Sequence, residues 1–284
     1  MTQSQPDKDL SARSPFAGCA ILIAAMVVMT FLIGFSVLTL FRQFNEIAKF
    51  TGEKPVTIEV TPLENKEPEL NNLAERVETF RQGLAGDYIS TLSLSADDVN
   101  LAIASYDAFK ELRGTFRVTG IEGDQLRIAI SFPLNGRPRL TKEGEKGWIA
   151  SDSRYLNATM IASPRFYKDE VLLAIDRIEV PGVTVPQEFI DQMSPYRITE
   201  RYLTDKEIGP AMKKFTRLEI SDGKIVITRN PKETPVDSIT DKEVDAGATR
   251  LFTTIGIAAC AFLGFAGIIV LLGVRAKARK ARNS

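Results

Sequence analysis

The chain contains no histidine. That removes Ser-His and Cys-His nucleophiles, imidazole metal sites and imidazole proton shuttles together. Cysteine occurs twice, at Cys19 and Cys260, each inside an apolar run. Neither a disulfide framework nor a thiolate site is therefore expected. Tryptophan occurs once, at Trp148, where packing into the core or its rim is the expectation. Neither charge is in excess: 36 Lys and Arg balance 36 Asp and Glu over 284 residues. A nucleic-acid binder usually carries a basic surplus, so no nucleic-acid partner is expected. There is no G-x-G-x-x-G, no P-loop and no dense Asp/Asn/Gly calcium loop. No cofactor and no metal are expected.

Long apolar runs are present. Residues 16–41 continue for 26 positions without a charge, and residues 251–274 for 24. An α-helix needs about 20 apolar residues to cross a bilayer, and lipid forces the backbone to bond to itself. Two transmembrane helices are the reading. The first run exceeds the ~7–15 residues of a signal-peptide core and has no A-x-A site after it, so it reads as an uncleaved anchor. The last ten residues hold Arg275, Lys277, Arg279, Lys280 and Arg282 and no acid, which marks that end as cytoplasmic. Two spans return the N-terminus to the same side, where Lys8 and Arg13 agree. Both termini are then cytoplasmic, and the protein is integral to the cytoplasmic (inner) membrane. Residues 42–250 are extracytoplasmic, with 29 basic and 34 acidic residues, a net charge of −5. In the second span Gly256, Cys260 and Gly264 recur every four residues. That spacing admits close helix packing, either against the first span or in a homo-oligomer.

The chain divides accordingly. Residues 1–15 form a cytoplasmic tail and 16–41 the first span. Residues 42–71, with Pro55, Pro62 and Pro68, read as a stalk. Residues 72–229 form one extracytoplasmic domain, 230–250 a polar linker, 251–274 the second span and 275–284 a basic tail.

Periodicity sets the elements of the domain. Leu73, Val77, Phe80 and Leu84 make one helical stripe, opened by Asn72 and Glu75 and closed by Gly86. A second helix starts at Ser95, with Asp97 and Asp98 in its first turn and Val99, Ala102, Ile103 and Tyr106 on its apolar face. Adjacent helical residues point about 100° apart, so Asp97 and Asp98 read as caps, not as a catalytic pair. From 114 the period becomes two. A loop at Glu122-Gly123-Asp124 sets Val118 opposite Ile128 and Phe116 opposite Ile130. Asn135-Gly136-Arg137-Pro138 reads as a turn and 141–147 as a polar loop. Strands follow over about 155–162 and 171–180, then a short helix after Pro186. Thr204 and Glu207 suggest another cap. Asp222-Gly223 makes a two-residue hairpin, with Ile220 opposite Ile225 and Leu218 opposite Ile227. The fold class is α+β: a mainly antiparallel, curved sheet of about five or six strands with two or more packed helices, flanked by the two transmembrane helices.

Residues 92–100 leading a helix, the meander through Phe132-Pro133-Leu134, residues 178–186 and the closing Asp222-Gly223 hairpin are arranged in an order with a known parallel. About half the chain resembles the membrane-anchored extracytoplasmic bacterial proteins with a tubular-lipid-binding-like fold. The resemblance implies a strongly curved sheet that wraps a helix and holds acyl chains in an apolar groove. Proteins of that kind usually have a single N-terminal anchor, and a second span departs from this.

The leading expectation is a non-catalytic ectodomain that binds membrane lipid or another apolar ligand at the membrane surface. Its candidate groove residues are Ile103, Tyr106, Phe116, Val118, Ile128, Ile130 and Phe132. A structural scaffold with an envelope protein partner is the alternative, and a hydrolase built on two carboxylates is the third reading. Asn157-Ala158-Thr159 also matches a glycosylation sequon.

Overall fold

The computed structural model describes residues 15–244, and for part of the first helix the backbone alone. That helix, α1, spans Pro15–Phe50. Its described residues up to Asn45 belong to one compact unit, and Glu46 onward to a second. In the first unit Ile23, Met29, Phe31, Ile33, Phe35 and Leu38 are all exposed. At 100° per residue they cover roughly 240° of the circumference, so no one-sided apolar stripe exists. The Thr30 hydroxyl donates to the Met26 carbonyl at 2.9 Å, which satisfies it within the helix. Among the described residues no helix is long and apolar enough to cross a membrane. The side chains of 15–22, 24, 25, 37, 40 and 41 and the whole of the second run, 251–274, lie outside those described. So do both tails and the Gly256, Cys260, Gly264 spacing.

The second unit opens with the last turn of α1. Phe50 is buried and meets Phe189 edge-on at 4.7 Å between ring centres. A helix end leaves carbonyls without partners. Arg154 supplies them, donating to the carbonyls of Ala48 and Thr51 at 2.7 and 2.6 Å. The helix α2 covers Glu67–Gly83. It begins five residues earlier than Asn72, because Pro68 is favourable in a first turn and Glu67 and Glu69 suit the positive helix end. Next come β1, Ser90–Leu94, and α3, Ala96–Ser105. Ser95 and Asp98 form a reciprocal capping box, as the sequence suggests.

Asp98 also accepts from Arg76 of α2, whose guanidinium reaches the Ser93 carbonyl of β1 as well. One guanidinium thus joins three elements. Burial pushes the Asp98 carboxyl up, but the hydrogen bonds from Arg76 and Ser95 together hold it below the ordinary carboxylate range. A carboxylate depressed in the folded state adds stability above its unfolded value of about 4, and that contribution is lost as pH falls through the folded value. Asp98→Asn is accordingly expected to cost stability at neutral pH, about 1 kcal/mol on the scale of a lost cap, and to flatten the acid limb. Urea unfolding of the detergent-solubilised chain at neutral and acid pH reads this. An unchanged acid limb in Asp98→Asn would assign the acid sensitivity elsewhere.

A 3-10 turn, Asp107–Leu112, leads into the main sheet. Its strands are β2 (Phe116–Glu122), β3 (Gln125–Leu140), β4 (Ile149–Tyr167), β5 (Glu170–Val180) and β6 (Val183–Thr184), antiparallel in that order. After α4 (Gln187–Met193) and α5 (Ile208–Met212), β7 (Arg217–Ser221) and β8 (Lys224–Arg229) join β1 in a second sheet, ordered β1-β8-β7. A one-turn helix, α6, occupies Asp241–Val244. The α+β class with antiparallel pairing is therefore as expected. The single sheet is not: the β7–β8 hairpin closes on β1 and α2, where Phe80, Leu84 and Leu92 build a small core of their own.

Register explains the main core. Met160 lies between Ile128 and Ile178, and Ala162 between Leu126 and Ile175, across the strands and on one face. Side chains alternate faces along a strand, so Phe116, Val118, Ile130 and Phe132 share it. The Phe116–Ile130 and Val118–Ile128 pairs are as expected, but the loop differs. The turn is the two residues Gly123-Asp124, and a bulge between Val118 and Gly120 absorbs the third. Residues 135–138 are not a turn. The strand continues to Leu140 through a bulge between Asn135 and Pro138. No Thr204 cap forms; Asp205 instead accepts from the amides of Glu207 and Ile208.

The expected stalk and linker are tied down. Gly52 exchanges two 2.8 Å backbone bonds with Tyr155. Residues 54–59 then cross the polar face of the sheet. Asn157 donates to the Lys54 carbonyl and accepts from the Val56 amide, so the sequon amide is already engaged. At the other end Ser238 bonds both backbone groups of Phe166, and Asp237 accepts from the Lys168 amide.

Candidate functional site

Six of the seven expected groove residues meet in one cluster. Ile103, Phe116, Val118, Ile128, Ile130 and Phe132 are all buried and belong to the main core. Tyr106 caps the end of α3 at its margin and meets Phe109 edge-on. The chain itself covers this face. Val99 and Ile103 of α3, Phe50 of α1 and Ile190 of α4 pack on it, and Tyr196 stacks on Phe132 at 5.3 Å. The cleft that reaches Ile103 and Phe116 measures about 10 Å³. That is room for about one water, far below an acyl chain. In this arrangement the six residues form a close-packed core.

A larger cavity of about 560 Å³ lies between Phe166, the first residues of β7 and the chain at 232–238. Phe166, Leu218 and Val236 line it together with Arg217, Lys232 and Glu233. Arg217 and Glu233 approach to 3.5 Å across it. Among the described residues no group of three or more Cys, Asp or Glu side chains could hold a metal ion. The most buried carboxylate is Glu170, and Arg197 neutralises it through a two-pronged contact. Such a pair is structural: Thr199 and Tyr196 beside it bond the β5 backbone at Val171 and Leu173.

The feature that the sequence did not single out is the tip of the β3–β4 hairpin. Trp148 is 89% exposed, Leu140 80% and Ile149 70%. This corrects the expectation that Trp148 packs into the core or its rim. Leu140 and Ile149 are paired across the strands, so they share one face. Arg139 and Asp152 lie on the opposite face and join at 2.8 Å. Arg139 also grips both oxygens of Glu145 at 2.7 Å, and Glu145 accepts from the Lys142 amide. These contacts hold the Glu145 carboxyl at about 2. The Thr141 hydroxyl closes the loop on the Gly147 carbonyl. A polar clamp on one face thus fixes a loop whose other face and end are apolar. The signal was present as an apolar cluster flanking a charged loop, but the expected turn at 135–138 hid the hairpin's length.

No family model, curated protein or solved structure matches the chain.

Proposed function

We propose that the protein is a two-pass protein of the cytoplasmic membrane whose extracytoplasmic domain is non-catalytic and binds lipid or another apolar ligand at the membrane surface. The observation that carries this reading is α1. Large apolar side chains are exposed around most of its circumference, and residues 16–41 have no charge. Water would penalise that surface by roughly 25 cal/mol per Å², whereas hydrocarbon accepts it. The Thr30 hydroxyl bonded to its own helix suits the same solvent. The segments that flank the domain dock on β4 at two places, Gly52 on Tyr155 and Ser238 on Phe166, eleven residues or about 36 Å apart along the strand. Such anchoring opposes shuttling and favours work beside the bilayer.

A tubular-lipid-binding-like arrangement would put acyl chains on the inner sheet face. Side chains of the chain itself fill that face here, which supports a lipid contact outside the core. The same packing gives weight to the second reading, a scaffold in an envelope complex.

Two measurements test the proposal. Alkaline carbonate extraction of membranes should leave the chain in the pellet; release into the supernatant would overturn membrane integration. Native mass spectrometry of the detergent-solubilised chain, with lipid extraction, should show retained lipid. A lipid-free chain that co-purifies with a stoichiometric protein would favour the scaffold.

A further inference from the structure

We propose that the β3–β4 hairpin tip is a second membrane contact, inserting Leu140, Trp148 and Ile149 into the interface of a bilayer that carries anionic lipid. The proposal rests on the membrane reading above and names the surface through which the domain meets lipid.

Three observations converge on this tip. The first is composition with exposure. The only Trp of the chain stands at the end of the hairpin, beside two aliphatic side chains that pair across it and cover nothing. Indole has an apolar body and one N–H donor, so the headgroup boundary satisfies both ends. The clamp of Arg139, Glu145 and Asp152 keeps the loop shaped without help from these residues, so their exposure is not needed for folding.

The second is charge. Residues 137–152 contain Arg137, Arg139, Lys142 and Lys146 against Glu143, Glu145 and Asp152, a net of +1. The surrounding segment 42–250 has a net charge of −5. Lys142 and Lys146 are exposed on the same loop as Trp148. An anionic lipid surface attracts them, at about 1 kcal/mol per cation near the surface.

The third is placement along one strand. β4 carries the tip at Ile149, the α1 junction at Arg154 and Tyr155, and the docked exit segment at Phe166, in that order. Gly52, which pairs with Tyr155, follows the charge-free run by 11 residues. The six steps from Tyr155 to Ile149 carry the tip about 20 Å along the strand from the α1 junction.

Because Trp148 is the only indole, its fluorescence reports the tip alone. The full chain would be reconstituted into vesicles of phosphatidylcholine with phosphatidylglycerol, with and without brominated acyl chains. Flotation of the protein with the vesicles tests the membrane reading separately. The expected result is that the floated protein shows Trp148 emission quenched by brominated lipid and shielded from aqueous iodide. Leu140→Ser/Ile149→Ser keeps the indole and should lose most of the lipid quenching while its circular dichroism is unchanged. Lys142→Ala/Lys146→Ala should lower tip occupancy on anionic vesicles by about 30-fold, the ratio that two cations at about 1 kcal/mol each convert to. It should change little on pure phosphatidylcholine. Floated protein whose Trp148 is open to iodide and unquenched by brominated lipid would overturn the tip contact and leave the membrane reading standing. Shielding from iodide without lipid quenching would assign the tip to a protein contact and also overturn it. Protein that does not float would overturn both.

Discussion

Arg197→Ala is expected to destabilise the domain by about 3–5 kcal/mol, the scale for leaving a buried charge without its partner. Glu170 is 4% exposed, and its carboxylate takes two hydrogen bonds from Arg197. Arg197 itself has 41% of its side chain exposed. The pair is therefore asymmetric. Removing Arg197 strands a carboxylate in the interior, while removing Glu170 leaves a guanidinium that can turn to water or to Glu200, 2.8 Å away. Glu170→Ala should cost distinctly less than Arg197→Ala, and the double variant less than the single Arg197→Ala. The neighbouring chain adds to the effect. Residues 194–199 cover the edge of β5, with the Ile175 amide on Ser194, Leu173 paired to Tyr196 and Val171 bonded to Thr199. Loosening Arg197 frees that cover and withdraws Tyr196 from Phe132. Urea unfolding of the detergent-solubilised variants reads the order. Equal, small losses in the two single variants would mean that Glu170 is solvated in solution.

Ile130→Ala is expected to cost about 2–5 kcal/mol, the range for a buried aliphatic residue that leaves a cavity. Ile130 is 1% exposed, opposite Phe116 on one side and Ala158 on the other. Small neighbours such as Ala158 cannot grow into the gap, which favours the upper half of the range. Leu140→Ala, at the exposed tip, should change stability by no more than about 0.5 kcal/mol. The contrast separates the two places where lipid contact could be sought. If Ile130→Ala leaves stability unaltered and removes bound lipid, the inner sheet face is a ligand groove after all. If it unfolds the chain while the Leu140 variant alters only the response to vesicles, the core packs and the tip binds.

Some of the architecture was legible because its signals are local. The Asp222-Gly223 turn needs positive φ at both residues, and the structure has 52° and 67° there. Ser95 caps α3 through atoms three residues away. The pairing of Phe116 with Ile130 survived a wrong loop, because a three-residue loop and a two-residue turn with one bulged residue give the same register. The errors have the opposite origin. Residues 135–138 look like a turn from any short window, since Asn, Gly and Pro favour turns. They stay in a strand because β4 runs alongside and a bulge accommodates them. The stalk at 42–71 looked free because nothing in its own sequence shows that Tyr155 and Asn157 receive it. Trp148 looked like core because one indole beside a strand usually is, and only the length of the hairpin carries it clear.

By itself the sequence excluded histidine chemistry and disulfides, marked two charge-free runs, and set the periods and caps from which the helices and strands follow. Each of these depends on residue type or on spacing within a few positions. Tertiary structure decided the rest. It placed the β7–β8 hairpin on β1 in a second sheet, closed the inner face over Ile128 and Ile130 with α3, α4 and Phe50, and left Trp148, Leu140 and Ile149 uncovered at the end of β3 and β4. Whether an apolar side chain is core or contact surface depends on what lies opposite it. That neighbour comes from chain far away in sequence.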